Sequence, residues 1–353
     1  MHAIAPLVAP PAASTAYYTG VAPRATGAAP RAVAVAPAYA STTARPAAVT
    51  PVNPYPAPRA YLAPYSSPAP ARDLRVMTFN LRVATAFDGL NTWEFRKGMV
   101  LERIRTADPD LLGTQEGLEG QEKFLQKQLT DYTFFGAGRS DGKRGGEMCG
   151  VFFKTARFEK IAGGHFWLSE KPAKAGSKGW GAWFPRMVTW VKLKPRDARD
   201  GGGEFVWFNT HFDAFASRAR NESARLLLER MSTISGSAPC IVTGDFNAGQ
   251  DSQPYRMLCS KLAGVGPMLV DAFRAANPKQ VREEGTRHGF SGSTDGERID
   301  WILASPAFQA VSSSIDRSRG LLGYPSDHFP VVATFRPAAA GAGAGAATIA
   351  RVE

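Results

Sequence analysis

The stretch Cys240-Ile241-Val242-Thr243-Gly244-Asp245-Phe246-Asn247 places a short apolar run directly before two polar side chains. An apolar run of this length, bounded by a glycine, is typical of a buried β-strand. Asp245 and Asn247 lie two positions apart, and on an extended segment residues i and i+2 point the same way. Both groups can therefore reach one site at the end of the strand. The pattern Gly-Asp-x-Asn is also common in turns, so this stretch alone leaves a purely structural interpretation open.

Similar apolar runs recur along the chain and predict an α/β protein. One predicted helix has the apolar face Phe95, Met99, Val100 and Ile104, and another covers Ser217–Met231. The other predicted strands are Leu74–Phe79, Leu111–Thr114, Gly150–Lys154, Met187–Leu193, Glu204–Asn209, Arg298–Leu303 and Pro330–Phe335. Because strands outnumber helices and helices lie between some of them, we predict packed β-sheets with flanking helices. One domain over residues 73–336 accommodates them all.

Polar residues border several of these strands, where a sheet would bring them to one edge. They are Asn80, Gln115-Glu116, Asn209-Thr210-His211-Phe212-Asp213, Arg298-Ile299-Asp300 and Ser326-Asp327-His328. Carboxylates and amide oxygens without thiolates suit Mg²⁺ or Mn²⁺ and disfavour zinc. The three cysteines are widely spaced and suggest neither a zinc site nor a disulfide framework. A hard divalent cation polarises a phosphoryl oxygen and lowers the pKa of bound water, so the pattern favours a metal-dependent phosphoesterase.

Six of these motifs, in this order, resemble the endonuclease/exonuclease/phosphatase superfamily. They are Thr78-Phe79-Asn80, Thr114-Gln115-Glu116, Asn209-Thr210-His211, Thr243-Gly244-Asp245-Phe246-Asn247, Arg298-Ile299-Asp300 and Ser326-Asp327-His328-Phe329-Pro330-Val331. The superfamily includes deoxyribonuclease I, abasic-site endonucleases, neutral sphingomyelinases, inositol polyphosphate 5-phosphatases and nocturnin-like deadenylases. Each motif alone is weak evidence, and the match rests on the ordered set. The resemblance implies a deoxyribonuclease I-like fold, a four-layered α/β sandwich of two packed mixed β-sheets flanked by helices.

The resemblance also implies roles for the residues around a metal ion. Glu116 is the expected main metal ligand, with Asn80 beside it, and Asp327 is expected to support the metal site. Asp245 is expected to orient or deprotonate the attacking water, and Asn247 to hold that water or the phosphate. The expected cofactor is Mg²⁺ or Mn²⁺.

A second group of residues is implied to act on the phosphate. His328, paired with Asp300, is expected to stabilise the phosphoryl charge, and His211 to contact the phosphate. Some members of the superfamily place an acidic residue, a possible second metal contact, two positions after the first Asn. This chain has Arg82 at that position, so one metal ion is expected.

The stretch Ser177–Trp190 resembles the signature of a stand-alone subfamily near the nocturnin-type members. Arg186 precedes an apolar strand there and is expected to make a bidentate contact to the substrate phosphate. Trp180 and Trp183 have two interpretations, which the sequence leaves open. They stack on a base or a sugar, or they pack the loop.

The two ends of the chain differ in composition from the predicted domain. Residues 1–70 are rich in Ala, Pro, Thr and Ser and poor in large apolar residues, so we expect them to be disordered. The segment carries arginines and no acid, which fits a plastid or mitochondrial transit peptide as well as a low-complexity extension of a cytoplasmic protein. Residues 337–353 form an Ala/Gly-rich tail that we also expect to be disordered. The net charge is +11, of which the five arginines of residues 1–72 supply +5, so charge alone does not identify a binding surface.

Together these patterns predict a hydrolase that cleaves a phosphodiester with a water activated by a metal ion and Asp245. The leading prediction is a nuclease-type enzyme, a 3′–5′ exonuclease acting on RNA or another single-stranded nucleic acid. One alternative is a phosphatase or phosphodiesterase for a small molecule, an inositol phosphate or a lipid headgroup. Another is a non-catalytic binding protein with the same fold. Apolar stretches are too short to cross a bilayer, so integral membrane association is not expected, and we predict a monomer.

Overall fold

A computed structural model of the protein describes residues 72–200, 203–260, 268–279 and 283–337. The predicted extension 1–70 lies outside these residues, and so does the predicted tail apart from Pro337. The domain boundaries at residues 73 and 336 therefore stay predictions. Within the described ranges, none of the helices is long and apolar enough to cross a membrane.

Two mixed β-sheets, each with six strands in the described residues, form the centre of the fold. Numbered in chain order, the strands are β1 (Leu74–Asn80), β2 (Leu111–Gln115), β3 (Tyr132–Phe135), β4 (Val151–Lys154), β5 (Phe158–Trp167), β6 (Met187–Pro195), β7 (Phe205–His211), β8 (Cys240–Asp245), β9 (Val270–Asp271), β10 (Asp300–Ala304), β11 (Phe308–Ile315) and β12 (Val331–Pro337). The first sheet has the order β11-β12-β1-β2-β4-β3, and the second has the order β5-β6-β7-β8-β10-β9. β1 is parallel to β2, and β7 is parallel to β8. Each parallel pair ends at one edge of its sheet.

Four helices of the described residues cover the outer faces of the sheets, namely α1 (Trp93–Ala107), α2 (Glu119–Gln128), α3 (Ser217–Ser235) and α4 (Gln253–Cys259). The short helix α5 (Ala272–Ala276) contacts β10 of one sheet and β11 of the other, and its Ala272 packs in the cluster between the sheets. Along β7, Val206 and Phe208 pack in one cluster with α3, whereas Phe205 and Trp207 pack between the sheets with Val76 of β1. This is the period of two that a strand with two covered faces requires. α1 and α2 pack on the outer face of the first sheet, so the predicted four-layered α/β sandwich is confirmed.

The predicted apolar face of α1 was wrong at its first turn. Phe95 is 56% exposed, whereas Val100 and Ile104 are buried as predicted. The position that faces the core is Arg96, which a pattern of apolar residues does not find. Its guanidinium is tolerated there because main-chain carbonyl oxygens accept all of its hydrogen bonds. The acceptors are Leu81, Arg82, Asn91 and Pro325.

A layer of buried polar side chains joins the two sheets near the ends of the central strands. Nε2 of Gln115 donates to Oδ1 of Asn209 at 2.8 Å, and Oγ1 of Thr243 donates to the same oxygen at 3.0 Å. Nδ2 of Asn209 in turn donates to the carbonyl oxygens of Thr114 and Gly150, at 2.8 Å each. Because buried polar groups require partners, this network favours one alignment of the two sheets. It therefore positions the residues that follow these strands.

Candidate active site

The ends of the central strands bring five of the predicted site residues to one edge of the sandwich. Asn80 ends β1, His211 ends β7 and Asp245 ends β8, while Glu116 directly follows β2. Asp300 begins β10, which is antiparallel to β8, and the register places it opposite Asp245. The Asn80 amide donates hydrogen bonds to both Glu116 and Asp245, so the two sheets open onto the same site.

His328 and Asp300 form a buried ion pair beside Asp245. Nδ1 of His328 lies 2.9 Å from Oδ2 of Asp300, and its Nε2 lies 3.9 Å from Oδ2 of Asp245. Burial disfavours the charged imidazole, but the neighbouring carboxylates outweigh burial and raise the pKa of His328 to about 10. His328 is therefore a cation at neutral pH. We call Glu116, Asp245, Asp300 and His328 the carboxylate centre.

Asp245 is held in one orientation by neighbours on two sides. The main-chain N–H of Asn247 donates to its Oδ1 at 2.9 Å, and Nδ2 of Asn80 donates to its Oδ2 at 2.9 Å. Burial and then the charge of Asp300 raise the pKa of the Asp245 carboxyl above its ordinary value. A raised pKa makes a carboxylate a stronger proton acceptor, which is the property that activation of water needs.

The amide of Asn80 turns its nitrogen toward the carboxylates. Its Oδ1 accepts a hydrogen bond from the main-chain N–H of Arg82 at 2.9 Å, which assigns the orientation of the amide. Nδ2 consequently faces Glu116 at 3.1 Å and Asp245 at 2.9 Å. An amide nitrogen donates hydrogen bonds and does not bind a cation. In this orientation the Asn80 amide lies between the carboxylates of Glu116 and Asp245 and donates to both. Its role as a metal ligand stays a prediction.

The donor atoms beside Asn80 fit a hard divalent cation. A carboxylate oxygen of Glu116, one of Asp245 and a ring nitrogen of His211 lie within 4.8 Å of one another. The group is rich in oxygen and contains no thiolate, which suits Mg²⁺ or Mn²⁺. A second group, Asp245 with Asp300 and His328, meets the same distance criterion. The charged imidazole makes this second group a poor cation site.

Two of the predicted site residues have a positive φ, a backbone conformation that residues other than glycine adopt infrequently. Glu116 has a φ of 61° and Asn247 has a φ of 48°. Such conformations are costly and persist where the surroundings enforce them, often at functional sites. At Glu116 the carboxylate is fixed as well, because its Oε2 accepts from the main-chain N–H of Val83 at 2.9 Å.

The hydrogen bonds of Asn247 assign the tautomer of His211. Nδ2 of Asn247 donates to the carbonyl oxygen of Phe212 at 3.1 Å and faces Nε2 of His211 at 3.0 Å. Nε2 is therefore the acceptor, and Nδ1 carries the proton. Burial, followed by Arg186 and the other nearby cations, lowers the pKa of His211 well below its ordinary value, so the ring is neutral. Nδ1 lies 3.9 Å from Oε2 of Glu147.

Arg186 reaches the site from the start of β6, where its position had been predicted. Its side chain is buried, and among the described residues its Nε and Nη1 atoms have no hydrogen-bond partner. The nearest carboxylate oxygen is Oδ2 of Asp213, 3.8 Å from Nε and likewise without a partner there. A buried guanidinium with unused donors is costly unless an anion binds it. Arg186 is therefore suited to a phosphate.

Arg82 has partners other than a second metal ion. It makes two hydrogen bonds to Asp88, at 2.9 and 2.8 Å, and its Nη1 lies 3.6 Å from Oδ2 of Asp327. Asp327 borders the site but is absent from both groups of closely spaced donors in the described part of the chain. Its support of a metal ion stays a prediction.

One cavity of about 400 Å³ contains most of these groups and several that the sequence analysis missed. The missed residues are Arg139, Glu147, Phe184, Phe215 and Arg287. They lie on loops, where neither strand alternation nor helical spacing marks a position. Gly145-Gly146-Glu147 only indicates a turn, and Phe184 lies in the stretch Ser177–Trp190 without being assigned a role there. Nothing in the sequence pattern separates Arg139, Phe215 and Arg287 from ordinary loop positions.

Comparison of the sequence with protein families shows which family the chain belongs to. The sequence profile of the Endonuclease/Exonuclease/phosphatase family matches residues 77–328. The chain belongs to this family. Members of the family are generally phosphoester hydrolases and typically use divalent metals. The family relationship and the fold predicted from the ordered motifs are therefore confirmed.

Individual relatives include solved structures and nocturnins. A family protein from Bacteroides thetaiotaomicron is 35% identical with a TM-score of 0.68, covering 75% of this chain and 97% of that chain. The mannosyl-6-phosphatase Bt3783 of the same organism is 34% identical with a TM-score of 0.67, covering 74% and 99%. Nocturnin of Rattus norvegicus is 25% identical over 296 residues, covering 74% of this chain. The chain spans 65% of the length of that nocturnin.

Proposed function

We propose that this family member is a divalent-metal-dependent phosphoesterase, and that its substrate is a phosphate monoester of a small molecule. The proposal is carried by one observation. A buried guanidinium with unused donors, Arg186, lines the same cavity as Asp245 and the His328 cation. These are a phosphate-binding group, a proton acceptor and a fixed positive charge.

In this mechanism the substrate phosphate binds between Arg186 and His328. Glu116 would hold the cation, which when bound would compensate the charge on a phosphoryl oxygen. Asp245 accepts a proton from the attacking water, whose oxygen forms a bond to phosphorus while the bond from phosphorus to the ester oxygen breaks. His328 donates to a phosphoryl oxygen as negative charge builds there. The ester oxygen takes up a proton from the solvent as it leaves, and Asp245 afterwards releases its proton to the solvent, so the products are inorganic phosphate and an alcohol.

The charge of the cavity with a bound cation supports a monoester. The cationic side chains that line the cavity are Arg82, Arg139, Arg186, Arg287 and the charged His328. The carboxyl side chains that line it are Glu116, Glu147, Asp245 and Asp327, and Asp300, the partner of His328, makes the two signs equal in number. A divalent cation would therefore give the site a positive excess. A monoester carries about two negative charges at neutral pH and a diester carries one, so such an excess favours the monoester.

Two further observations support a small substrate. The cavity volume of about 400 Å³ lies in the range of small-molecule sites. A mannosyl-6-phosphatase is also more similar to this chain, at 34% identity, than the nocturnins, at 23–25%.

A nuclease of the 3′–5′ exonuclease type is the second candidate. It is supported by the nocturnin relatives and by a stacked pair of exposed rings, Trp183 and Phe215, beside the cavity. Single-stranded nucleic acids are commonly bound by such rings. The two candidates share the carboxylate centre, so they differ in what binds outside it.

A substrate panel tests the proposal. Phosphate release from hexose phosphates, glycerol phosphate and inositol phosphates is compared with product release from labelled single-stranded RNA and DNA, each with Mg²⁺ or Mn²⁺. We expect the highest kcat/KM on a monoester, and loss of that activity in Asp245→Asn. A preference for RNA would replace the monoester with the nuclease candidate. Failure to hydrolyse any ester would favour a non-catalytic binding protein.

A further inference from the structure

We infer that the mouth of the cavity binds a sugar ring next to the phosphate, with Phe184, Phe215 and Trp183 as an aromatic platform and the pair Arg139–Glu147 as the partner of the sugar hydroxyls. This inference rests on the proposed function and names its substrate class, a phosphorylated hexose. We call Trp183, Phe184 and Phe215 the aromatic rim.

The aromatic rim leaves large apolar surfaces exposed at the edge of a polar cavity. Phe184 is 47% exposed and Phe215 is 60% exposed, and both line the cavity. Trp183, which is 66% exposed, stacks on Phe215 with ring centroids 4.8 Å apart. Exposed aromatic groups that cluster beside a site of polar groups usually mark a binding surface.

Each ring that lines the cavity is supported by a neighbour. Trp183 supports Phe215, and the guanidinium of Arg139 lies 5.3 Å from the ring centroid of Phe184. A supported ring loses little conformational entropy when a ligand stacks on it, which favours binding. The apolar faces of pyranose rings carry C–H groups, and the negative face of an aromatic ring attracts such groups.

The structure separates the two tryptophans that the sequence left with two interpretations. Trp180 packs against the core cluster that contains residues of α3 and β8, so it anchors the loop. Trp183, three residues later in the same loop, is exposed and stacks on Phe215, which lines the cavity. Packing against the core accounts for the presence of a tryptophan at position 180. It does not account for the exposed ring of Trp183.

Polar groups suited to hydroxyls lie beside the rim. Nη2 of Arg139 donates to Oε1 of Glu147 at 2.6 Å, and both side chains line the cavity. A carboxylate accepts hydrogen bonds and a guanidinium donates them, so the pair can serve both functions of adjacent hydroxyl groups. Because Arg139 also supports Phe184, the polar pair and the aromatic rim are in contact.

A short chain of contacts connects the rim to the carboxylate centre. Oε2 of Glu147 lies 3.9 Å from Nδ1 of His211, whose Nε2 lies 3.5 Å from Oδ2 of Asp245. The pair Arg139–Glu147, which contacts the rim at Phe184, is therefore separated from Asp245 by one side chain, His211. In a hexose 6-phosphate the ring is one methylene from the phosphate ester, so its hydroxyls stay close to the phosphate, on the side of the cavity that this pair lines.

The test compares three kinds of monoester in rim variants of the full chain. Steady-state kcat and KM are measured with hexose 6-phosphates, with nucleoside monophosphates and with glycerol phosphate, which has no ring. In Phe215→Ala and Trp183→Ala we expect the ratio of kcat/KM for the best hexose phosphate over glycerol phosphate to fall about tenfold, the size of one stacking contact. The loss should lie mainly in KM, because stacking binds the ground state and the transition state alike.

Matched controls keep the outcome interpretable. Phe95→Ala removes an equally exposed phenylalanine from α1 and should leave the ratio unchanged. Phe215→Leu removes the ring face while keeping an apolar side chain, and it replaces Phe215→Ala if that variant fails to fold. Glu147→Gln should also lower the ratio, through weaker binding of hydroxyls.

Two results would overturn the inference. One is an unchanged ratio in both rim variants that fold. The other is a larger loss for nucleoside monophosphates than for hexose phosphates, which would make the rim a base-stacking surface. Neither resembles failure of the proposed function, in which the wild-type protein releases no phosphate from any monoester.

Discussion

The carboxylate centre lies at the buried ends of strands and beside them, whereas the aromatic rim lies on exposed loops before β6 and α3. Residues of the centre are held by the registers of two sheets and by a layer of buried hydrogen bonds between them. In the rim, Trp183 and Phe215 support each other, and Phe184 lies against the guanidinium of Arg139. This difference indicates that the rigid sheets position the catalytic side chains. The loops at the edge of the sheets can therefore alter substrate specificity without disturbing the carboxylate centre.

The largest expected effect comes from the carboxylate centre. Asp245→Asn keeps the volume of the side chain but removes the proton acceptor, so kcat should fall by about 10²–10⁴-fold on every ester that the protein hydrolyses. Asp251→Asn, at an exposed position after β8, is the control and should retain full activity. Steady-state rates with thermal unfolding of both variants check this prediction. If Asp245→Asn unfolded the protein, Asp245 would be a structural turn residue instead.

A smaller effect on activity is expected at Arg186, which lines the cavity. Arg186→Met removes the charge-assisted contacts to phosphate, so kcat/KM should fall by about 10–100-fold on all esters. The melting temperature should also fall, because Arg186→Met leaves the buried carboxylate of Asp213 without its nearest cation. A drop in melting temperature with unchanged kinetics would assign Arg186 to the fold and not to the phosphate.

The ion pair of His328 and Asp300 predicts a pH dependence. Asp300 helps raise the pKa of His328 to about 10, so the imidazole loses its charge only above that pH, and kcat/KM should decline there. Asp300→Asn removes the carboxylate, which lowers the pKa of His328 and moves this alkaline limb to lower pH. The profile of kcat/KM against pH for both proteins measures the shift. Superimposable alkaline limbs would contradict the assigned ion pair.

The smallest expected effects separate packing from binding within one loop. Trp180→Ala should lower the free energy of unfolding by about 1–3 kcal/mol, because Trp180 packs against the core. Trp183→Ala should change it by less than about 0.5 kcal/mol, because the ring is exposed. Denaturant unfolding of both variants provides the comparison. Equal losses of unfolding free energy would mean that Trp183, like Trp180, only packs the loop and does not bind the substrate.

The sequence predicted the carboxylate centre because each member borders an apolar strand. Parallel β1 and β2, like β7 and β8, then bring such positions to one edge. The amide orientation of Asn80 depends on the main-chain N–H of Arg82, which no spacing of residues encodes. The rim and the pair Arg139–Glu147 come from three separate loops, and only the fold brings them together.

The face of α1 shows a second limit of sequence patterns. An apolar stripe predicts which residues are buried only when burial is apolar. Arg96 occupies a core position because carbonyl oxygens of the segment before α1 and of Pro325, which is remote in sequence, accept its hydrogen bonds. Its neighbour Phe95 is consequently turned to the surface.

The central claim is that the carboxylate centre hydrolyses a phosphate ester with a divalent cation, and metal removal and restoration test it most directly. Phosphate release from the best monoester of the panel is measured with Mg²⁺, in excess chelator, and after Mg²⁺ is restored, for the wild-type protein and for Glu116→Gln. The account predicts that wild-type activity vanishes in chelator and returns with Mg²⁺. It also predicts that Glu116→Gln requires more Mg²⁺ for half of its maximal rate. Full turnover of the wild-type protein in excess chelator would contradict the account.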